Sequence, residues 1–366
     1  MTVTWAAALA WRLRRHLLDP VGEGSVVDVV TALGAVPAWP DATAELAVAA
    51  RRGGRVGEAA EALAAGALVK AFTFRGGMHL MTPRGAGAYL AVRASGRMWE
   101  RSSWRTFYEL EPSDWPAFRA YVRDVVAERP LTVAELAAAL RRSHRYRRVG
   151  EAIAAGHETV LKPLTWQGDL GLGVGADGAL TLIRLEDVPG WAGLPDLDEA
   201  GPAVVVAYLR THGPAAPERV HEWVGQGLGA RRRDVTRWLA ALDDRLEPLA
   251  IEGDEVLVLR DDVAGLRSAS ASDVVRLLPA RDPWVMAPGT SDGRVVPPGR
   301  RRTVSQSANL VVHGGAVAGT WKVRGDDLDL AWFGECPMAP DDEIAGAVDA
   351  LGGSLGRPLE LRLHPV

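Results

Sequence analysis

The chain has 366 residues, of which 48% are hydrophobic, and its net charge at pH 7 is −4. This length allows two or three ordinary domains, and no uninterrupted apolar stretch is long enough for a transmembrane helix. The N-terminal segment places its arginines after its apolar residues, the reverse of a signal peptide, so we expect an amphipathic helix there. Cys336 is the single cysteine, which excludes an intramolecular disulfide and a multi-cysteine metal site and fits a reducing cytoplasm.

The charge is distributed unevenly along the chain. Residues 1–150 hold 21 basic and 14 acidic side chains, whereas residues 151–366 hold 21 and 32. Such an asymmetry is expected where one part of a protein faces a polyanion. Nearly all the cations are arginines, which a GC-rich genome favours through its codons and which also suit bidentate contact with phosphate.

The first predicted repeat of helices and strands begins with helices at residues 5–18 and 26–33. A turn interrupted by prolines follows, and then helices at 43–52 and 56–66. Two strands, LVKAFTF and MHLMTP, complete the repeat, and the two glycines after Arg75 are typical of a hairpin turn between them. An aromatic-rich segment connects this unit to the next.

The second predicted repeat opens at Ser113. A helix cap and a first-turn proline mark its first helix, and Thr132 and Glu135 form the capping box of the next one. The basic stretch RRSHRYRR separates that helix from the helix-like segment TVLKPLTWQG. A hairpin that turns at Ala176-Asp177-Gly178 closes the unit.

The third predicted repeat, from Glu199 to Arg260, shows the pattern most clearly. Its helices break at Gly213-Pro214 and at Gly227, a third helix follows, and a hairpin turns at Glu252-Gly253-Asp254. Three short helices closed by a β-hairpin form a winged helix, a helix-turn-helix variant used most often on nucleic acid. We therefore predict three tandem winged-helix units.

From about Asp261 the pattern changes to short strands, a loop rich in Pro and Gly, a helix and a last strand. This succession indicates an antiparallel sheet within an α+β domain. The predicted fold is mainly α with an α+β C-terminal part: three tandem winged-helix units and a C-terminal antiparallel-sheet domain. The predicted segments are 1–112, 113–197, 198–264 and 265–366.

Two groups of basic residues are candidates for contact with DNA. One group lies between the second and third helices of the second repeat, with His144 and Tyr146 interleaved, and the other stands at the start of the third helix of the third repeat, where groove contacts arise in helix-turn-helix proteins. An ordinary solvated surface accounts for each group equally well. The two groups are Arg141, Arg142, Arg145, Arg147 and Arg148, and Arg231, Arg232, Arg233 and Arg237.

Several segments resemble the AlkZ-like DNA glycosylases, which are also described as winged-helix DNA-binding-domain proteins. They extend from about Trp11 to Trp332 and include VLKPLTWQGDLGLG, PAVVVAYLRTHGPAAPERVHEWVG and VVHGGAVAGTWKV. The most telling parts are the R-G-x-x-H-L wing that begins at Arg75 and the G-x-W-basic strand that ends at Lys322. We therefore add Arg75, His79 and Lys322 to the predicted DNA contacts, although a lone histidine on an apolar strand is more often a core residue.

The resemblance implies three tandem winged helices that form a concave basic channel around double-stranded DNA. The implied activity is hydrolysis of the N-glycosidic bond of bulky or crosslinking alkylated bases, without a metal or an organic cofactor. We also expect a monomer that is cytoplasmic, associated with the nucleoid and not bound to a membrane. DNA repair or resistance to a genotoxin would be its purpose.

The family's catalytic signature is a Gln-x-Gln pair just after the second helix, in which one residue positions or activates water and the other assists at the sugar. Here Pro37 and Trp39 stand at those positions, in a register anchored by the following Ala44-Glu45-Leu46-Ala47. Neither proline nor the donor-only indole can act as a general base. Trp39 can instead stack on a base or an extruded adduct, or it can be a core residue.

Three interpretations follow from this substitution. The favoured one is a diverged DNA glycosylase in which a nearby carboxylate, Asp41 or Glu45, takes the proton of the attacking water. The second is a DNA-binding or adduct-sensing protein of the same fold that has no catalytic activity. The third is a protein-interaction scaffold, which the acidic balance of residues 151–366 favours.

Overall fold

The computed structural model describes residues 2–175 and 178–366. The chain forms two compact units. The first comprises Met1–Glu61, Val205–Trp223 and Leu239–Val366, and the second comprises Ala62–Val204 and Val224–Trp238. The four predicted segments divide the chain differently and stay a prediction. The predicted turn at Ala176-Asp177-Gly178 lies mostly outside the described residues.

Helices dominate the secondary structure. Short 3₁₀ turns supplement them, and a π-helical turn extends over His221–Gly227. In chain order the α-helices are α1 (Trp5–Arg15), α2 (Val26–Leu33), α3 (Asp41–Arg52), α4 (Glu58–Ala64), α5 (Pro83–Ala94), α6 (Ser102–Tyr108), α7 (Trp115–Val126), α8 (Val133–Arg142), α9 (Arg147–Ala154), α10 (Leu161–Trp166), α11 (Leu197–His212), α12 (Pro217–Val220), α13 (Arg232–Ala240), α14 (Val263–Ser268), α15 (Pro283–Met286), α16 (Arg301–Ser305) and α17 (Asp341–Leu355).

The strands are short, as expected for hairpins and small sheets. In chain order they are β1 (Val36–Pro37), β2 (Val69–Phe72), β3 (Met78–Met81), β4 (Leu131–Thr132), β5 (Leu170–Val174), β6 (Leu180–Arg184), β7 (Leu246–Ile251), β8 (Asp254–Leu259), β9 (Val275–Leu278), β10 (Asn309–His313), β11 (Ala316–Arg324), β12 (Asp327–Trp332) and β13 (Glu360–Pro365).

The first unit contains the C-terminal sheet. Its strands lie in the order β13-β12-β11-β10-β9, and α17 packs on one of its faces through an apolar cluster that includes Ile344, Val348 and Leu351. Strands β9 to β12 are antiparallel, whereas β13 pairs with β12 in parallel because α17 returns the chain across the sheet. The predicted sheet is therefore antiparallel except for its last strand.

The sheet of the second unit combines the hairpins of the first two repeats. Its strands lie in the order β3-β2-β5-β6-β4. Strands β2 and β3 are antiparallel, and the turn between them contains Arg75 and Gly76, as the sequence predicted. The capping box of Thr132 and Glu135 is present at the start of α8. Sequence patterns of this kind predicted the elements well because caps and turn glycines act locally.

The hairpin of the third repeat, β7 and β8, is also confirmed and belongs to the first unit.

One predicted boundary was wrong: α1 ends at Arg15 rather than at residue 18, because Leu17 takes a left-handed conformation with φ of 56°. A mainly helical chain with a sheet-containing C-terminal part is thus confirmed. The division into three winged-helix units stays a prediction.

Candidate active site

The segment between α2 and α3 brings Trp39 to the surface. Gly34 ends α2 with φ of 74°, a conformation that favours glycine. The next four residues, including Pro37, are buried. Trp39 then emerges with 62% of its surface exposed. Such exposure is unusual for the largest aromatic side chain and contradicts the alternative that Trp39 is a core residue.

Asp41 and Glu45, the two candidate general bases, begin α3 one helical turn apart. Asp41 is exposed and is the first residue of the helix, after the N-cap Pro40. A carboxylate there complements the partial positive charge of the helix N-terminus. Asp41 therefore lies two residues from the exposed indole and faces the solvent from which a water nucleophile would come.

The carboxylate of Glu45 is engaged in holding the next helix. Its Oε2 accepts hydrogen bonds from the backbone N–H groups of Gly57 (2.8 Å) and Ala59 (3.1 Å), and its Oε1 accepts one from Ala60 (2.7 Å). These groups lie at the start of α4, where backbone donors lack helical partners. The geometry thus gives Glu45 a capping role.

Arg281, which the sequence did not single out, secures the Trp39 segment. Its Nη1 donates to the carbonyl oxygen of Trp39 at 2.8 Å, and its Nε donates to Ser307 Oγ at 3.1 Å. Arg281 is exposed and has a left-handed backbone, with φ of 61°. A guanidinium has five N–H donors, so Arg281 can hold both partners and still donate to a phosphate oxygen. It stands alone in the sequence, outside any basic run or motif, and so gave no signal.

A buried ion pair fixes the residue next to Arg281. Asp282 and Arg51, at the end of α3, are both fully buried, and the guanidinium donates to the carboxylate at 2.8 and 2.6 Å. Asp282 Oδ1 also accepts from the backbone N–H of Trp284 at 2.8 Å. The two ends of the site, α3 and the loop that carries Arg281, are therefore joined inside the first unit.

The family model described as DNA glycosylase AlkZ-like matches residues 30–352. The chain belongs to the AlkZ-like DNA glycosylase family. It is 30% identical over 347 residues to the interstrand DNA cross-link repair glycosylase of Streptomyces sahachiroi, with 93% of each chain covered. It also matches the solved structure of Streptomyces sahachiroi DNA glycosylase AlkZ, with a TM-score of 0.93, 28% identity and complete coverage of both chains.

Membership of the AlkZ-like family confirms the resemblance seen in the sequence. It also favours a DNA partner over the protein-interaction scaffold. None of the helices in residues 2–175 and 178–366 has the length and apolarity needed to cross a membrane.

The structure separates the predicted arginines by their surroundings. Four of them face carboxylates: Arg145 lies 2.8 Å from Asp114, Arg237 lies 2.5 Å from Asp198, Arg148 lies 3.7 Å from Glu109, and Arg233 lies 3.9 Å from Asp234. These partners compete with a phosphate for the guanidinium. All the predicted arginines are exposed, as is Lys322, and those outside these four pairs are Arg75, Arg141, Arg142, Arg147, Arg231 and Arg232.

His79, in contrast, is a buried residue of this AlkZ-like protein. It is 6% exposed, its Nδ1 lies 3.1 Å from the carbonyl oxygen of Gly77, and its ring packs edge-on against Phe74. Burial lowers the pKa of His79 to about 4, although the contact with Gly77 opposes this shift. The ring is therefore neutral at pH 7 and brings no positive charge to a phosphate, so its surroundings favour the core role.

In the G-x-W-basic strand the glycine and the tryptophan are packed against neighbouring residues, and the lysine is exposed. A side chain at Gly319 would lie 2.4 Å from the carbonyl oxygen of Ala331 on the neighbouring strand, so only glycine fits there. Trp321 is buried and donates from Nε1 to the carbonyl oxygen of Leu278 at 3.0 Å. Lys322 points to the opposite, exposed face of β11. The glycine and the tryptophan thus have structural roles, and the lysine alone is placed for contact.

Proposed function

We propose that this chain is a DNA glycosylase that hydrolyses the N-glycosidic bond of bulky alkylated purines in duplex DNA, including bases that crosslink the two strands. The observation that carries the proposal is that Trp39, at one of the family's two catalytic positions, and Asp41, two residues beyond it, are both exposed. Family membership supports the reaction class, and the name of the Streptomyces sahachiroi relative supports the crosslinked substrate. The proposed protein acts as a monomer in the cytoplasm, associated with the nucleoid.

Asp41 is the proposed general base. Its carboxylate accepts a proton from water while the water oxygen bonds to C1′ of the sugar, and the bond from C1′ to the base nitrogen breaks. The electrons of the broken bond go to the base, which N7 alkylation has already made positively charged and which therefore leaves as a neutral molecule. A carboxylate beside C1′ also stabilises the positive charge that develops on the sugar.

Trp39 is the proposed stacking surface. Aromatic side chains hold bases that have left the helical stack, and they do so without selecting a particular sequence. The exposed indole offers such a face two residues from Asp41. Arg281 donates a hydrogen bond to the Trp39 carbonyl oxygen, and the same guanidinium is suited to the phosphate beside the damaged nucleotide.

The proposed DNA contacts follow the winged-helix interpretation of the three repeats. In a winged helix the third helix and the hairpin meet the duplex. Arg231, Arg232 and Arg233 lie exposed at the start of α13, the third helix of the third repeat, and Arg75 lies exposed at the hairpin turn of the first. These residues are the proposed phosphate contacts, with Arg141, Arg142, Arg147 and Lys322.

The salt dependence of binding tests the phosphate contacts. Replacing Arg231, Arg232 and Arg233 by serine is expected to lower the slope of log affinity against log salt by about three, because each neutralised phosphate contributes roughly one unit. The control replaces Arg357 and Arg362, which lie 3.3 and 2.7 Å from Asp326 and Asp327. The control slope should equal that of the wild type, and an unchanged slope in the triple variant would exclude this contact.

Activity on a crosslinked substrate is tested by measuring whether the two strands of a crosslinked duplex are released from each other. A duplex with one N7–N7 dialkyl crosslink is incubated with the protein and separated on a denaturing gel. The proposal predicts release of the two strands, one of them with an abasic site. A protein that binds the crosslinked duplex with a steep salt slope and leaves the strands joined would instead be the adduct-sensing alternative.

A further inference from the structure

A cavity of roughly 270 Å³ lies inside the first unit, with walls other than Trp39, Asp41 and Arg281. Its lining includes Arg12 of α1 and Tyr208 of α11, which are both buried, and Trp5, Asp254 and Arg294. Pockets for drug-sized ligands start at about 300 Å³. The size therefore suits a molecule as small as an amino acid.

Arg12 is the feature that indicates a ligand. Its side chain is 3% exposed, and Nη2 donates to the carbonyl oxygen of Pro214 at 3.2 Å. Nε and Nη1 are buried and have no hydrogen-bond partner among the described residues. Burial lowers the pKa of Arg12. Buried guanidinium groups normally have their donors satisfied, because leaving them unpaired costs more than most single interactions contribute.

The nearest carboxylates do not meet this need. Asp292 also lines the cavity, but its Oδ1 accepts from the backbone N–H and from Nη1 of Arg294, at 3.1 and 3.0 Å. Arg294 in turn lies 3.9 Å over the ring of Trp5 and donates to Asp254 at 2.6 Å. The side chains of this wall are therefore paired with one another. Nε and Nη1 of Arg12 thus have no hydrogen-bond partner among the described side chains of this wall, and a ligand in the cavity could supply an acceptor.

The rim has the opposite charge. Glu218, Glu222 and Glu255 are exposed and line the cavity, and they outnumber Arg219, which also lines it and lies 2.7 Å from Glu222. A purely anionic ligand would pass these carboxylates on its way to Arg12 and be repelled. A ligand with a carboxylate at its inner end and a cationic group at its outer end would be attracted both by Arg12 and by the glutamates of the rim.

We propose that this cavity binds a small zwitterion, whose carboxylate accepts from Nε and Nη1 of Arg12 and whose amine lies beside Glu218 and Glu255 at the rim. The carboxylate gives the two buried donors the charge-assisted partner that they lack. The site is independent of base excision, so its occupancy can be measured on protein without DNA.

Isothermal titration calorimetry with four probes tests the site: 4-aminobutyrate, acetate, inorganic phosphate and butylamine. Saturable binding of one 4-aminobutyrate per chain is expected, with acetate and phosphate at least about tenfold weaker and butylamine weaker still. Arg12→Met should remove 4-aminobutyrate binding, and an apolar side chain of similar length should not unfold the protein, because it removes a buried unpaired charge. Glu218→Gln, at an exposed position, should weaken 4-aminobutyrate and leave acetate unchanged.

Absence of heat with every probe on wild-type protein would overturn the proposal. So would 4-aminobutyrate binding that survives Arg12→Met, or phosphate binding tighter than that of 4-aminobutyrate. The wild-type titration needs no variant, so it tests the proposed binding even if a variant is poorly folded.

Discussion

Asp41→Asn is expected to slow base excision by at least about a hundredfold and to leave the affinity for alkylated duplex unchanged. General base catalysis contributes roughly 10²- to 10⁴-fold to a rate, and asparagine keeps the shape of the side chain without its ability to take a proton. Single-turnover release of the damaged base, measured with protein in excess over DNA, reports the chemical step. Fluorescence anisotropy of the labelled duplex reports binding.

The chain provides a matched control for this substitution. Asp341 is also exposed and is also the first residue of a helix, α17, after an N-cap proline, Pro340. Asp341→Asn therefore makes the same change in helix electrostatics away from the candidate site and should leave excision unchanged. Glu45→Gln should lower the stability of the fold, because it weakens the cap of α4, without a comparable loss of rate. An Asp41→Asn rate equal to the wild type would exclude Asp41 as the base.

Asp282→Asn is expected to destabilise the protein by about 3–5 kcal/mol, since it leaves the guanidinium of Arg51 buried without a counter-charge. Arg51 lies in a polar interior: its Nη2 is also 3.5 Å from Nδ1 of His16, and burial keeps the pKa of His16 well below its usual value. The neutral imidazole cannot replace the lost carboxylate. Guanidinium chloride unfolding, followed by tryptophan fluorescence, gives the change in the free energy of unfolding.

Two further variants test whether the loss of stability comes from the unpaired buried charge. Asp326→Asn breaks an ion pair whose side chains are 44% and 71% exposed, and it should have little effect on stability because exposed pairs are weak. The double variant Arg51→Met with Asp282→Leu removes both charges and should recover much of the loss. A stability of Asp282→Asn equal to that of Asp326→Asn would contradict the proposed role of the buried pair in joining α3 to the Arg281 loop.

Much of the fold could be predicted because its signals are local. The capping box of Thr132, the glycine turn after Arg75 and the hairpin turn at Glu252-Gly253 all depend on residues close in sequence. The parallel pairing of β13 with β12 depends instead on where α17 returns the chain, and no local pattern in the strand encodes that.

The candidate site was predicted less completely. The family resemblance located Trp39 and Asp41, and the structure shows both of them exposed. It could not separate Asp41 from Glu45, because the three backbone donors that hold Glu45 come from the start of α4, more than ten residues away. Arg281 is 242 residues from Trp39 in sequence, and such a long-range contact leaves no trace in composition or spacing.

The most direct measurement of base excision uses a duplex with a single N7-alkylguanine and wild-type protein in excess. Alkaline cleavage of the labelled strand converts each abasic site into a shorter fragment on a denaturing gel. We predict conversion of essentially all the damaged strands at that position, well above the spontaneous loss in a reaction without protein, and loss of this conversion with Asp41→Asn. A duplex that is bound at saturation and keeps its damaged base at the spontaneous rate would contradict the proposed glycosylase activity.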